Sequence, residues 1–191
     1  MANKVKYGLK NVHYAVATIA ADNTATYGEP VAWPGAVNLS LDAEGEQTKF
    51  RADNVDYWVG VSNNGYSGDF ESALIPDSFK TDVLGYIKDT NGTMIENAGA
   101  PTQPFALMFQ FEGDAHATRH VLYNCTATRP SVSGATTEEE IEPQTETLSL
   151  TAVAIHDATL DLDITKASCG VDDPAYGTWF DSVYDPTIVS A

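Results

Sequence analysis

Cysteine is scarce: the 191-residue chain has two, Cys125 and Cys169, far apart in sequence. Neither a CxxC nor a zinc-ligand spacing arises from them. Separate thiols are the favoured reading and a single disulfide the alternative. Positive charge is scarce as well, with 10 Lys and Arg against 27 Asp and Glu, a formal net charge of -17 and a pI of about 4.3. This excludes ordinary phosphate-tracking nucleic-acid binding, which concentrates cations to release counterions, and it disfavours anionic membranes. Long apolar runs are missing, and none approaches the roughly 20 residues of a spanning helix. The opening MANKVKYGLK lacks the apolar core of a signal peptide, so the expectation is a soluble chain, cytosolic or particle-associated, without membrane insertion.

What is present suffices for a core. Hydrophobic residues make up 43% of the chain, with 9 Tyr, 7 Phe and 3 Trp, and the length suits one domain, 1–191, with elaborated loops. The dominant period is two. Val37, Leu39 and Leu41 alternate with polar residues, as do Leu148 with Leu150 and Leu160 with Leu162 and Ile164. FALMFQF (105–111) is apolar on both faces and predicts a central strand, or an edge covered by another subunit, returning through HATRHVLYNCTATR. Tyr57 to Val61, the Asn63-Asn64-Gly65 turn and Tyr66 to Phe70 predict a second hairpin. Leu41 to Asn54 reads as a long charged hairpin or excursion whose partner the residues leave open, a solvated loop being the simplest reading. The acidic TTEEEIE (136–142) reads as a solvated loop.

Helix signals are few. Pro76 and Asp77 suit a helix start, and Phe79, Val83 and Ile87 recur every four residues, predicting a packing stripe of about three turns that Gly85 weakens. A second short helix is expected over Pro174 to Tyr184, with Trp179 and Val183 on one side.

Catalytic signatures run out quickly. His116 and His120 share HxxxH spacing but sit in a strand context, where four residues span about 13 Å and zinc cannot be shared. His13 and His156 are isolated. The Asp161/Asp163 and Asp172/Asp173 pairs are expected from composition, and no EF-hand loop, GxSxG elbow or phosphate-binding glycine loop occurs. Trp33, Trp58 and Trp179 read as core or interface packing, or as a sugar or base platform where exposed. No catalytic residue, cofactor or metal ligand is assigned.

Three stretches carry a resemblance: YGLKNVHYAV near the start, NVDYWVGVSNNGYSGDFESALIPDSFKTDVLGYIKDTNGTM, and RHVLYNCTATRPSVSGATTEEEIEPQTETLSLTA. Together they resemble the major tail tube proteins of long-tailed bacteriophages infecting Gram-positive hosts, with ALIPDSFKTDVLG and RPSVSG…EPQTETLSLTA the most specific parts. The resemblance implies a mainly β fold, a β-sandwich or partly closed barrel with a flanking short α-helix. It further implies a non-enzymatic structural virion protein forming hexameric rings stacked into a hollow tube for genome passage. Partners would be further copies of the chain, other tail components at the tube ends and an internal measuring protein, with DNA passing through unbound. The location would be the virion tail, and the host cytoplasm during assembly. The excursion at 41–54 becomes the candidate stacking loop, with Asp42, Glu44, Glu46, Lys49, Phe50 and Arg51 as contacts, and residues 1–10 and 184–191 become candidate arms. Phe79, Val83 and Ile87 are assigned to core or helix packing. Alternatives are a non-polymerising tail ring or terminator, a virion carbohydrate-binding module and, weakest, a hydrolase.

Overall fold

The period-two segments form strands in the computed structural model of the protein, which describes residues 5–113, 116–134, 136 and 143–186. In chain order these are β1 (Leu9–Ile19), β2 (Ala25–Tyr27), β3 (Val31–Ala32), β4 (Ala36–Glu44), β5 (Gln47–Ala52), β6 (Val55–Val61) and β7 (Gly65–Ser72), followed by a helix, α1 (Asp77–Asp82). After it come β8 (Ile87–Lys88), β9 (Met94–Ile95), β10 (Phe105–Phe111), β11 (Arg119–Ala127), β12 (Glu146–Val153), β13 (Ile155–Asp157), β14 (Leu162–Ile164), β15 (Lys166–Cys169) and a 3-10 turn at Pro174–Thr178.

The main sheet is antiparallel and runs β2-β1-β10-β11-β12-β7-β4, with β3 added to β1 and β15 added to β11. It turns over at β11. Arg119 to Leu122 pair with β15, whereas Asn124 to Ala127 pair with β12, and an irregularity in the β10 pairing falls between these two runs. The extra residue places Leu122 and Cys125, three apart, in one core while Tyr123 enters another. The two halves of the sheet then share a core, giving a mainly β, sandwich-like fold. No ladder joins β4 to β1 among the described residues, so the barrel is not closed.

Two cores lie on opposite faces of β1, β10 and β11. The first collects Tyr14, Trp33, Phe70, Phe79, Phe105, Leu107, Leu148 and Leu150, and the second collects Ala106, Met108, Val121, Tyr123, Ile155, Trp179 and Val183. This explains FALMFQF. Its odd positions Phe105, Leu107 and Phe109 face one core and its even positions Ala106 and Met108 face the other, so β10 is a central strand with no solvent side. In the first core, Phe79 meets the rings of Tyr14 and Phe105 edge-on at 5.1 Å each and lies 4.4 Å from the Trp33 ring. The Trp33 indole N–H donates to Ser72 Oγ at 3.0 Å, which satisfies the one polar group it carries inside.

Several expectations change. Helix α1 spans six residues, shorter than three turns, because Gly85 (φ +72°) ends it: the Tyr86 N–H closes back onto the Lys80 carbonyl at 2.9 Å. Phe79 and Val83 are buried, but Ile87 lies beyond that stop in β8 and is 53% exposed, so it leaves the stripe. The 174–184 segment forms a 3-10 turn instead of a helix, with Trp179 and Val183 buried after it. Val37 falls at a register irregularity of β4 and faces solvent, while Leu39 and Leu41 pack on the first core. Leu162 is exposed as well, and Leu160 precedes its strand. Cys125 and Cys169 are both free and buried in different cores, and burial pushes the Cys125 thiol up to about 12. Residues 1–4, 187–191 and all but Thr136 of the 136–142 segment lie outside the described residues.

Candidate assembly surface

The segment after β4 does not return to the sheet directly. Among the described residues β5 and β6 pair only with each other, forming a two-stranded arm of six and seven residues. Its base continues the β4–β7 ladder: the Asn64 N–H donates to the Glu44 carbonyl at 2.8 Å and the Ser62 N–H to the Glu46 carbonyl at 3.0 Å. Its tip is Asp53-Asn54, with φ of +51° and +63°, the two consecutive left-handed residues that suit a tight two-residue hairpin turn. At the strand rise of about 3.3 Å per residue, the arm extends the β4–β7 hairpin by about 20 Å.

This corrects the hairpin expected around Asn63-Asn64-Gly65. Residues 55–61 pair with 47–52, and β7 lies instead between β4 and β12. Asn63 and Asn64 form part of the junction where the ladder changes partners. The boundary at 54 therefore cuts the arm in half, and sequence reasoning missed Val55 to Val61 as part of it. The Asp53-Asn54 pair, flanked by β-prone segments, was the signal that could have found them.

Alternation and register sort the arm into two faces. Thr48, Phe50 and Ala52 align with Gly60, Trp58 and Val55, making one face predominantly apolar. The Trp58 ring lies across Gly60, where a Cβ would come within 2.2 Å of the indole, so this close approach requires glycine. On the other strand face, Asp56 takes both cations of β5, Lys49 Nζ at 3.3 Å and Arg51 Nε at 3.3 Å. Exposed pairs of this kind stabilise by about 0–1 kcal/mol, so they neutralise and orient the arm more than they hold it.

Exposure distinguishes the arm from the rest of the molecule. Phe50 is 60% and Trp58 56% exposed, and Val55, Tyr57, Val59 and Val61 are exposed with them. None of these residues belongs to either core. Residues 47–61 also carry two basic and two acidic side chains, so the arm is formally neutral and the whole -17 lies elsewhere in the chain.

The other residues assigned from sequence are distributed around it. Asp42 and Glu44 are exposed on β4, opposite Ser67 and Gly65, and Glu44 accepts the Ser67 hydroxyl. Glu46 sits at the arm's base with its N–H on Ser62 Oγ at 2.9 Å. Lys49, Phe50 and Arg51 belong to β5. Of the terminal segments, Tyr7 and Gly8 are tied by their carbonyls to the N–H groups of Gly113 and Glu112, and Leu9 and Lys10 are already in β1. Tyr184 stacks on Trp179 with ring centroids 5.1 Å apart. His120 stacks on Phe109 at 5.1 Å, and among the described residues no cluster of three or more His, Cys, Asp or Glu is placed to hold a metal ion. No helix among them is long and apolar enough to cross a membrane.

No protein-family model matches the chain, and no curated protein matches its sequence. Among solved structures, the chain is similar to one in the cryo-electron microscopy structure of the anti-feeding prophage baseplate, symmetrised sixfold. The two share 15% sequence identity and a TM-score of 0.49, with 88% of this chain and 96% of that chain covered.

Proposed function

We propose that this protein is a non-enzymatic structural component of a bacteriophage tail that assembles with copies of itself into stacked rings, six subunits to a ring, forming the hollow tube through which the genome passes. The observation that carries the reading is the β5–β6 arm. A formally neutral hairpin with six exposed large apolar side chains projects from a chain of net charge -17. Apolar surface of that kind is costly to leave in water and finds its stability against another protein surface. The resemblance of the quoted sequence stretches to tail tube proteins supplies the identity of that surface, a copy of the same chain in the next ring.

The stacking contacts in this reading run from Asp42, Glu44 and Glu46 at the base, through Lys49, Phe50 and Arg51, to Val55–Val61. Other tail components cap the ends of the tube, a measuring protein lies inside it, and the virion tail is its final location after assembly in the host cytoplasm. A negative lumen would repel phosphate and leave DNA unbound. The same charge opposes ring closure, so salt should favour assembly: the screening length falls from about 10 Å at 0.1 M to about 3 Å at 1 M.

Negative-stain electron microscopy with light scattering across a salt series tests this. The expected result is hollow filaments with a regular ring repeat that form at lower protein concentration as salt rises. Isolated rings at every salt would favour the terminator reading, and monomers throughout would refute self-assembly by this chain. The exposed Trp58 beside Phe50 also favours a carbohydrate-binding module as a second reading, since an aromatic face can stack on a sugar. Glycan binding abolished by Trp58→Ala, without filaments, would support it.

A further inference from the structure

A cleft of about 440 Å³ opens between β2, the β13–β14 hairpin and residues 182–186. It is remote in sequence from the arm, and the assembly reading makes no use of it. Three tyrosines, Tyr27, Tyr123 and Tyr184, and two carboxylates, Asp157 and Asp185, line it, with Ile155 among its apolar positions. No Lys or Arg does. His156 also borders it, but its ring nitrogens point to carboxylates of its own hairpin, Nδ1 to Asp163 Oδ1 at 3.2 Å and Nε2 to Asp161 Oδ1 at 3.7 Å.

Two buried groups distinguish this cleft from an ordinary surface groove. Tyr123 is 1% exposed, and its hydroxyl has no hydrogen-bond partner among the described residues. The neighbouring Tyr27 hydroxyl is used, donating to the Tyr123 carbonyl at 3.1 Å, so the pair is not simply mispacked. The Tyr123 hydroxyl lies in the field of Tyr184, Asp157 and Asp185, all residues of the same cleft. A buried polar group without a partner needs an explanation in a ligand or an ordered water. Asp157 is the second group. It is 7% exposed and held in place by Oδ1, which accepts the N–H groups of Thr159 at 3.0 Å and Leu160 at 2.8 Å.

We propose that this cleft binds a small organic ammonium ion, an alkylammonium or diammonium whose N–H groups reach the Tyr123 hydroxyl and the Asp157 and Asp185 carboxylates while its methylenes lie against the tyrosine rings. The chemistry selects this class. The hydroxyl and both carboxylates accept hydrogen bonds, aromatic faces attract cations, and a lining of acids without Lys or Arg rejects anions. The volume exceeds what a bare metal ion needs, and the walls offer apolar contact that a hydrated metal ion would not use.

Isothermal titration calorimetry of the full chain with 1,4-diaminobutane at low salt tests the assignment, with acetate as the anionic counterpart. The expected result is saturable one-site binding of the diamine and none of acetate. Tyr123→Phe removes only the unpartnered oxygen, so the fold persists, and binding should weaken at least about tenfold, as for loss of a hydrogen bond to a charged group. Asp157→Asn keeps the Oδ1 acceptor for the turn and should weaken binding by at least as much. Glu112→Gln, which removes one negative charge at an exposed site away from the cleft, should leave binding unchanged and so separates the cleft from diffuse attraction to an acidic protein. Absence of saturable binding up to about 10 mM diamine, or equal affinity in Tyr123→Phe and the parent chain, would overturn the proposal.

Discussion

Replacing Phe50 and Trp58 by serine removes the two largest side chains from the apolar face of the arm. Full burial of such a side chain is worth about 1.5–3 kcal/mol, and with 60% of Phe50 and 56% of Trp58 exposed, each retains roughly 1–2 kcal/mol to gain from a covering subunit. The double variant should therefore lose about 2–4 kcal/mol per arm contact. At about 1.4 kcal/mol per tenfold, the protein concentration needed for tubes should rise roughly 30- to 700-fold. The monomer should lose no more than about 1–2.5 kcal/mol, the share of the two side chains already covered within the arm, and should stay folded because neither residue belongs to a core. Light scattering against protein concentration reads the first effect and urea denaturation the second. Lys49→Gln with Arg51→Gln is the informative comparison: it dissolves the exposed pairs to Asp56 and should cost at most about 1 kcal/mol per pair. An unchanged assembly concentration in the serine variant would refute the reasoning, as would a loss of monomer stability large enough to account for the assembly defect.

Phe79→Ala should destabilise the monomer by about 3–5 kcal/mol in urea denaturation, since it empties the centre of the Tyr14, Trp33 and Phe105 cluster; a loss under 1 kcal/mol would mean that α1 does not seal this core. Gly65→Ala should cost more than about 2 kcal/mol, because its φ is +101° and a Cβ would lie 2.0 Å from the Ala152 carbonyl oxygen. Gly92→Ala, at φ +84° with nothing within 4 Å of the new Cβ, should cost about 1 kcal/mol, so equal losses at the two sites would discount the steric argument. Burial raises the ionisation of Tyr27 and Tyr123 above the ordinary tyrosine range and that of the Cys125 thiol to about 12. The folded state thus holds protons that the unfolded state releases: this contribution is complete below the ordinary thiol value of 9.0 and fades as pH rises toward 12. Stability measured from pH 8 to 12 should fall steadily, with at least two of the nine tyrosines ionising at 295 nm only on unfolding; ionisation of all nine in the native state would contradict the burial of this pair.

Strand content and the two-faced character of β10 were legible because they depend on local order. Alternation sets which side chains share a face, and a segment apolar on both faces has no stable place except between two cores. Charge class was legible for the same reason, being a sum over residues. Partner choice was not. The expected hairpin about Asn63-Asn64-Gly65 had suitable turn residues, yet Asp53-Asn54 closes the arm and β7 pairs with β4 and β12, because pairing between strands is decided by which apolar faces can be buried together. Helix α1 shows the same limit at shorter range: the four-residue repeat through Ile87 is real in the sequence, but Gly85 adopts the left-handed turn and ends the helix before the repeat is complete.

The sequence by itself determined that this is an acidic, strand-rich chain with enough apolar surface for a core and no local catalytic signature. Only the tertiary structure decided that Trp33 and Trp179 are buried while Trp58 is presented on an arm, and that Tyr123 is enclosed beside two carboxylates from distant parts of the chain. Periodicity records the side of a strand on which a residue lies. Whether that side meets a core, water or another protein depends on what the rest of the chain places over it.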